Sequence, residues 1–337
     1  MKKGKSVNGL MKHIRNQHEI SISGTKDKQK LLEMGYYHGY KSYKYIGNVN
    51  STLGFKKFSQ INALNEFDNS LKHIFYPVVM NFETSLKNLV LDIIVTDSSP
   101  YMNDVYVEHL NRHKILSREL ETTRATGNNL KRLRNAKKNS EQAFLRIKSN
   151  VAKQVSYNYK RDVVSHYIQN GEDFPVWAIF ELIMLGDFGD FIGQLNTTDE
   201  LTLLGRLELN EPRNIEANID LLQGYIYLIK DLRNAVAHNS IVFDTRFKSS
   251  LPSSSIKQQI KYAFNLEAEP NFNSIIDYVS VLLFFMKRFN YSLKARRKFI
   301  SEIKLSLEKT CQSVSDETME LIVPNWKKHI EMISKSV

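Results

Sequence analysis

The segment Asp231-Leu232-Arg233-Asn234-Ala235-Val236-Ala237-His238-Asn239 sets an arginine, an asparagine and a histidine within six residues at the end of an apolar-periodic stretch. Each of these types has a chemistry toward phosphates. A guanidinium can hold two phosphate oxygens at once and stays charged at any working pH. An imidazole takes up and gives back protons near neutrality. Asn234 and His238 are four apart and share a helix face, whereas Arg233 lies about 140° round the helix from His238. The three side chains therefore reach one substrate only in a groove that wraps the helix end. Metal-free RNA cleavage asks for such groups: a base for the 2′-hydroxyl proton, an acid for the leaving 5′-oxygen, and cations around the pentacoordinate phosphorane. One histidine does not readily serve both faces of the phosphate, but two copies of the motif do.

Spacing alone decides little. Roughly one arginine followed four to six residues later by a histidine is expected by chance in a chain of this composition. Two are present, Arg233 with His238 and Arg161 with His166. Context separates them: Leu222, Ile226, Ile229, Leu232 and Val236 hold a 3.6-residue period straight into the first pair. The plainer reading makes Arg233 a cap for carbonyls and His238 a histidine favoured by the helix dipole. His166 is read as structural.

Fourteen Gly and seven Pro in 337 residues, with helix formers throughout, predict a mainly α protein. Periodicity places helices at about 26–35, 57–96, 103–122, 128–150, 174–194, 215–238, 273–309 and 315–334. Within 57–96 one stripe runs from Ile61, Leu64, Phe67, Leu71 and Ile74 to Phe82, Leu86 and Ile93, and Pro77 is expected to kink or split it. The pattern divides the chain into 1–56, a tyrosine-rich N-terminal region; 57–250, a helical core containing a basic segment at 112–161; and 251–337, C-terminal helices packing on that core.

Charge is concentrated in the basic segment. Between Arg112 and Arg161, 14 Lys and Arg face three Glu, a surplus equal to the whole net charge of +11. A local surplus in an otherwise balanced chain points to a polyanion partner, nucleic acid first. Lys131, Arg132, Arg134, Lys137, Lys138, Arg146, Lys148, Lys160 and Arg161 are the candidate RNA-binding cations; the alternative is a solvated charge run. Residues 35–45 hold five tyrosines, of which Tyr36 and Tyr37 are candidates for stacking on bases and the set as a whole is better suited to packing.

Cys311 is the single cysteine, which excludes internal disulfides and cysteine-rich zinc sites and fits a reducing cytosol. The longest apolar stretch, Val279 to Met286, is too short to span a bilayer, so a soluble cytoplasmic protein is expected. Neither a cofactor nor a metal site is expected.

Four blocks resemble the AbiD/AbiF-type abortive-infection proteins of bacteria, whose helical domains belong to the HEPN superfamily. They are Leu32 to Tyr40 with its Gly-Tyr-Tyr and Gly-Tyr pairs; the helix from Phe67-Asp68 through Glu83 to Leu86-Lys87; Phe174 to Glu181; and Leu232 to Asn239. His38 stands where the family pattern has Arg-Leu-Ser, which shortens the first block by two residues. The resemblance implies a HEPN-like helical bundle with an N-terminal tyrosine-rich extension and a basic helical insertion. It implies a metal-independent endoribonuclease in which two motifs meet by dimerisation or within one chain, with Arg233 and His238 catalytic and Asn234 orienting. Glu181 would pair with Arg233 or orient His238. A homodimer is expected. Some members of that superfamily only bind RNA, so the alternative is a non-catalytic RNA-binding protein that holds a structured non-coding RNA. A third reading is a helical regulator that binds a protein partner.

Overall fold

Serine side chains start the helices of this chain repeatedly. Ser6, Ser253, Ser274, Ser292 and Ser315 each accept a hydrogen bond from a backbone amide of the first turn that follows, as Asn196 does before its helix. In the computed structural model, which describes residues 4–209 and 215–337, sixteen α-helices and one π-helical turn form, with no strand among the described residues. The mainly α class read from the sequence is what the chain adopts. The first three residues of the expected 1–56 region lie outside the described residues.

In chain order, α1 (Val7–His18) and α2 (Gly24–Met34) lead to the π-helical turn Tyr36–Tyr40 and to α3 (Phe58–Val95). Next come α4 (Met102–Glu108), α5 (Arg112–Thr122), α6 (Gly127–Tyr157), α7 (Asp162–Asn170), α8 (Val176–Leu182), α9 (Leu185–Ile192) and α10 (Thr197–Arg206). Finally α11 (Ile215–Ala237) precedes α12 (Ser254–Phe264), α13 (Ile275–Arg288), α14 (Leu293–Cys311), α15 (Asp316–Ile322) and α16 (Trp326–Lys335). None of the helices among the described residues is long and apolar enough to cross a membrane.

The chain divides into two compact units, one of Met1–Met80 with Asp231–Val337 and one of Asn81–Lys230. The first is centred on α13, where every residue from Ile275 to Met286 is buried, as expected for a helix apolar on all sides. Ile61, Leu64, Phe67, Leu71 and Phe75 of α3 are buried in the same unit, with the Phe75 ring 6.3 Å from Phe299 of α14. The second unit is built round Phe180 of α8 and Phe188 and Phe191 of α9. The Phe180 ring meets each of the other two edge-on at 5.1 Å, a geometry that contributes about 1 kcal/mol per pair beyond burial. Beside Gly193, which follows α9, the Gln223 side-chain amide of α11 donates to the Gly189 carbonyl at 2.8 Å.

Several expected helices are corrected. Pro77 does not split α3, which runs unbroken through it. Pro77 and His73 are both exposed, so the His73 carbonyl deprived of its donor faces water, while Ile74, Phe75 and Val79 hold the turn by burial. The helix expected at 273–309 is two helices, because Asn290 adopts a left-handed conformation (φ 56°) and Ser292 caps α14. The one expected at 174–194 breaks at Ile183-Met184, whose backbones are extended. There Lys87 donates to the Phe180 and Ile183 carbonyls, at 2.9 and 3.0 Å. Likewise 103–122 divides at residues 109–111, where His109 Nδ1 meets Asp199 at 2.7 Å, and 315–334 divides at Pro324-Asn325. Helices α1, α7, α10 and α12 form where no helix was expected; each is short, and α1 buries only Met11 and Ile14.

Candidate functional site

Helix α11 stops sharply at the motif. The Ser240 amide bonds the Ala235 carbonyl at 2.8 Å, the Asn239 amide bonds the Val236 carbonyl at 3.3 Å, and Asn239 sits at φ 53°. This paired closure needs a residue that tolerates the left-handed region, which asparagine does. Leu232, Ala235 and Val236 are buried, so the other faces of the last turns carry Arg233 and Asn234, both half-buried, and His238, exposed. Arg233 Nη1 donates to Asn234 Oδ1 at 3.2 Å, and the His238 amide bonds the Asn234 carbonyl at 2.9 Å. The structure thus brings Arg233, Asn234 and His238 together at one helix end. Glu181 is exposed on α8 and belongs to the other unit.

The chain beyond the motif is fixed by a carboxylate that sequence reasoning missed. Asp68 of α3 is fully buried, and its Oδ1 accepts from the amides of both Val242 and Phe243 at 2.8 Å. Its Oδ2 accepts from the Tyr43 hydroxyl at 2.8 Å and lies 2.8 Å from Lys72 Nζ. Lys72 in turn donates to Asn239 Oδ1 at 2.8 Å. Burial, and then the Asp68 charge, push the Tyr43 hydroxyl far above its ordinary range and keep it a neutral donor. A second clasp joins Asp244 to the Gly47 amide at 2.8 Å, while Arg246 pairs with Asp244, donates to the Ser42 and Tyr45 carbonyls and stacks 4.5 Å over the Tyr45 ring. The signal available in the sequence was an aspartate directly after core Phe67, four residues before Lys72.

The tyrosine segment is mostly packing. Tyr40 and Tyr43 are buried, and Tyr40 stacks on His18 at 5.5 Å, its hydroxyl 2.7 Å from His18 Nδ1. Burial, then Lys44, hold the His18 imidazole below its ordinary value. Tyr36 is half-buried and stacked on Tyr40, whereas Tyr37 is 75% exposed with Lys41 Nζ 4.6 Å over its ring. Gly39 closes the π-helical turn, since a Cβ there would lie 2.3 Å from the Met34 carbonyl oxygen. A cavity of about 530 Å³ on one side of Lys72 and Asn239 is lined by Asn69, His73, Tyr76 and Lys298, and a polar one of about 220 Å³ on the other side reaches His38 and Asn62.

In the second unit the basic segment is the hairpin of α5 and α6. Lys131, Arg132, Arg134, Lys138, Arg146, Lys148, Lys160 and Arg161 are exposed, and Lys137 is half-buried. Their environments differ. Arg146 donates to Asp190 at 2.7 Å, a bond that raises its pKa; Lys137 pairs with Glu141 at 2.7 Å; and Lys148 lies 5.0 Å over the Tyr106 ring. Lys131, Arg134, Lys138 and Lys153 fall within about 100° of arc on the outer face of α6 and span about 33 Å. His166, on α7, is exposed and its ring lies edge-on to Tyr167 at 5.1 Å. Among the described residues no group of three or more His, Cys, Asp or Glu is placed to hold a metal ion.

The family model for Abi-like proteins matches residues 29–244. The chain belongs to that family. The matched span begins in α2, ends on Asp244 of the second clasp and contains the tyrosine segment, Asp68, the basic hairpin and the whole α11 motif. In this Abi-like chain the blocks holding Tyr40 and Arg233 share one unit with Phe67-Asp68, while Glu83 and Leu86-Lys87 of the second block and the whole Phe174 to Glu181 block lie in the other. The helices from α12 onward lie beyond the matched span. Searches among curated proteins and among solved structures returned no match.

Proposed function

We propose that this Abi-like protein is a cytoplasmic abortive-infection effector of the AbiD/AbiF type, with a HEPN-like bundle, that cleaves RNA without a metal. The observation that carries the reading is the closure of α11, which sets Arg233, Asn234 and His238 on one helix end and leaves His238 open to solvent. His238 moves the proton, Arg233 stabilises the phosphorane, and Asn234 orients the arginine through their hydrogen bond. From the family resemblance Glu181 is assigned either to pair with Arg233 or to orient His238. One chain brings one such motif, so a two-fold dimer with α11 near the axis supplies the second histidine. The basic hairpin and Tyr37 hold the substrate. The test is incubation of the purified protein with RNA in EDTA: the reading expects products ending in 2′,3′-cyclic phosphates, from a dimer by light scattering.

A second reading, a non-catalytic protein that holds a structured non-coding RNA, is favoured by one observation. The exposed cations of α6 belong to a different unit from the motif, so they can serve binding on their own. Sequencing of co-purified RNA that is bound tightly but never cut, with or without a trigger of the defence response, would establish that reading.

A further inference from the structure

Tyr157 and Tyr159 flank the end of α6, and their exposure, 87% and 56%, is far from what tyrosine favours. A tyrosine ordinarily buries its ring and keeps only the hydroxyl wet. Among the other tyrosines of the same unit Tyr225 is buried, Tyr106 and Tyr167 pack against Phe144 and Phe174, Tyr227 bonds Asp190 at 2.8 Å, and Tyr101, 42% exposed, is less exposed than either ring.

The turn that presents the two rings is held in place. Asn158 bonds the Gln154 carbonyl through its backbone amide at 3.0 Å and through its side chain at 2.8 Å, and the Arg161 amide bonds the Asn158 carbonyl at 2.8 Å. Around the rings stand Lys153, one helical turn before Tyr157, and Lys160 and Arg161 just after Tyr159, all exposed. Unlike Lys137 and Arg146, none of these three forms an ion pair among the described residues. The nearest acid in sequence, Asp162, opens α7, where it favours the helix dipole. Two exposed rings set among three cations complement a chain that offers flat apolar faces and phosphates in alternation.

We infer that the α6–α7 turn is a stacking platform for unpaired RNA nucleotides, Tyr157 and Tyr159 taking bases and Lys153, Lys160 and Arg161 taking phosphates. The inference rests on the reading of the protein as RNA-binding and adds the form of RNA it takes. In a duplex the base faces are covered by their neighbours, so rings projecting from a turn find partners only on unpaired nucleotides, such as loops or single-stranded ends. The outer face of α6 leads from Lys131 to this platform over about 39 Å, so a strand anchored on the turn continues along the helix.

The test uses the full chain and two fluorescent probes of about 12 nucleotides, within the range of single-strand site sizes. One is a single-stranded oligouridine and the other a blunt duplex, both 2′-fluoro-substituted so that the attacking hydroxyl is absent. Tyr157→Ala with Tyr159→Ala should weaken single-strand binding by about tenfold or more and leave duplex binding and the salt slope unchanged, because no charge is removed. Tyr157→Phe with Tyr159→Phe should bind like the wild type. Equal affinity of the alanine variant for the single strand, or equal loss on both probes, overturns the platform and turns attention to a protein partner for these rings. A wild type that binds neither probe refutes the RNA-binding reading itself.

Discussion

Lys72 donates to the side-chain oxygen of Asn239 at 2.8 Å across 167 residues of sequence. The bond joins the buried carboxylate of Asp68 to the left-handed residue that ends α11. The position of His238, one residue before Asn239, is therefore set from α3 as well as from its own helix. Removing the carboxylate should loosen the motif without touching it.

Asp68→Ala strands the Tyr43 hydroxyl and two backbone amides, which end on this one buried group, and leaves the Lys72 ammonium with the Asn239 oxygen but no counter-charge. Breaking a buried, fully bonded charge of this kind costs about 3 to 5 kcal/mol. The expected outcome is a large fall in denaturation midpoint. Asp68→Asn, which keeps an acceptor oxygen, should lose less. A midpoint for Asp68→Ala within error of the wild type would show that the clasp does not hold the unit together.

Arg233→Ala and His238→Ala should each abolish RNA cleavage and toxicity in cells, while the circular dichroism and RNA affinity of the wild type persist. His238 is exposed and makes no packing contribution to lose, and the cations assigned to binding lie elsewhere. His166→Ala should leave cleavage intact. Residual cleavage in His238→Ala at wild-type rate would remove that residue from the mechanism.

The sequence showed part of this arrangement, and the missing parts have physical reasons. The period running into Arg233 placed α11 and its end, and the division at residue 290, missed by reading 273–309 as one helix, was readable from an asparagine followed two residues later by a serine, a stop signal and then a cap. The break after α8 was not, because Lys87 caps it from another helix and no local pattern announces a distant donor. Asp68 was hidden for the same reason: its partners Tyr43, Val242 and Phe243 are remote in sequence, and only the fold shows that the tyrosine segment and the motif share it.

Cations of the basic hairpin should separate into two classes. Neutralising Lys131, Arg132, Arg134 and Lys138, which are exposed, should weaken RNA binding and lower the log–log salt slope by about one for each phosphate that no longer meets a cation. Arg146→Ala instead breaks the bond to Asp190, so it should cost up to about 1 kcal/mol of stability and change the slope little. Binding isotherms at several salt concentrations check both. Equal slope changes from Arg146 and from Arg134 would refute the division.

Asp277 and His329 should give the C-terminal helices opposing responses to acid. Burial raises the Asp277 carboxyl to about 6, against the amide of Phe272 that lowers it, and burial lowers His329 to about 4. His329 Nε2 lies 2.9 Å from Ser280 Oγ, and its Nδ1 lies 3.9 Å from Asp277. Between about pH 4 and about pH 6 the folded Asp277 holds more proton than the unfolded one, so its contribution to stability is present at low pH and is lost as pH rises through 6. Folded His329 holds less proton than unfolded between about pH 4 and pH 6.5, so its contribution is present above that window and is lost as pH falls. The two slopes nearly cancel in the wild type. Measured as urea midpoints relative to the wild type, His329→Gln should gain stability as pH falls through this window and Asp277→Asn should lose it, each by on the order of 2 kcal/mol. Parallel pH profiles for both variants and the wild type would show that neither group titrates as its burial requires.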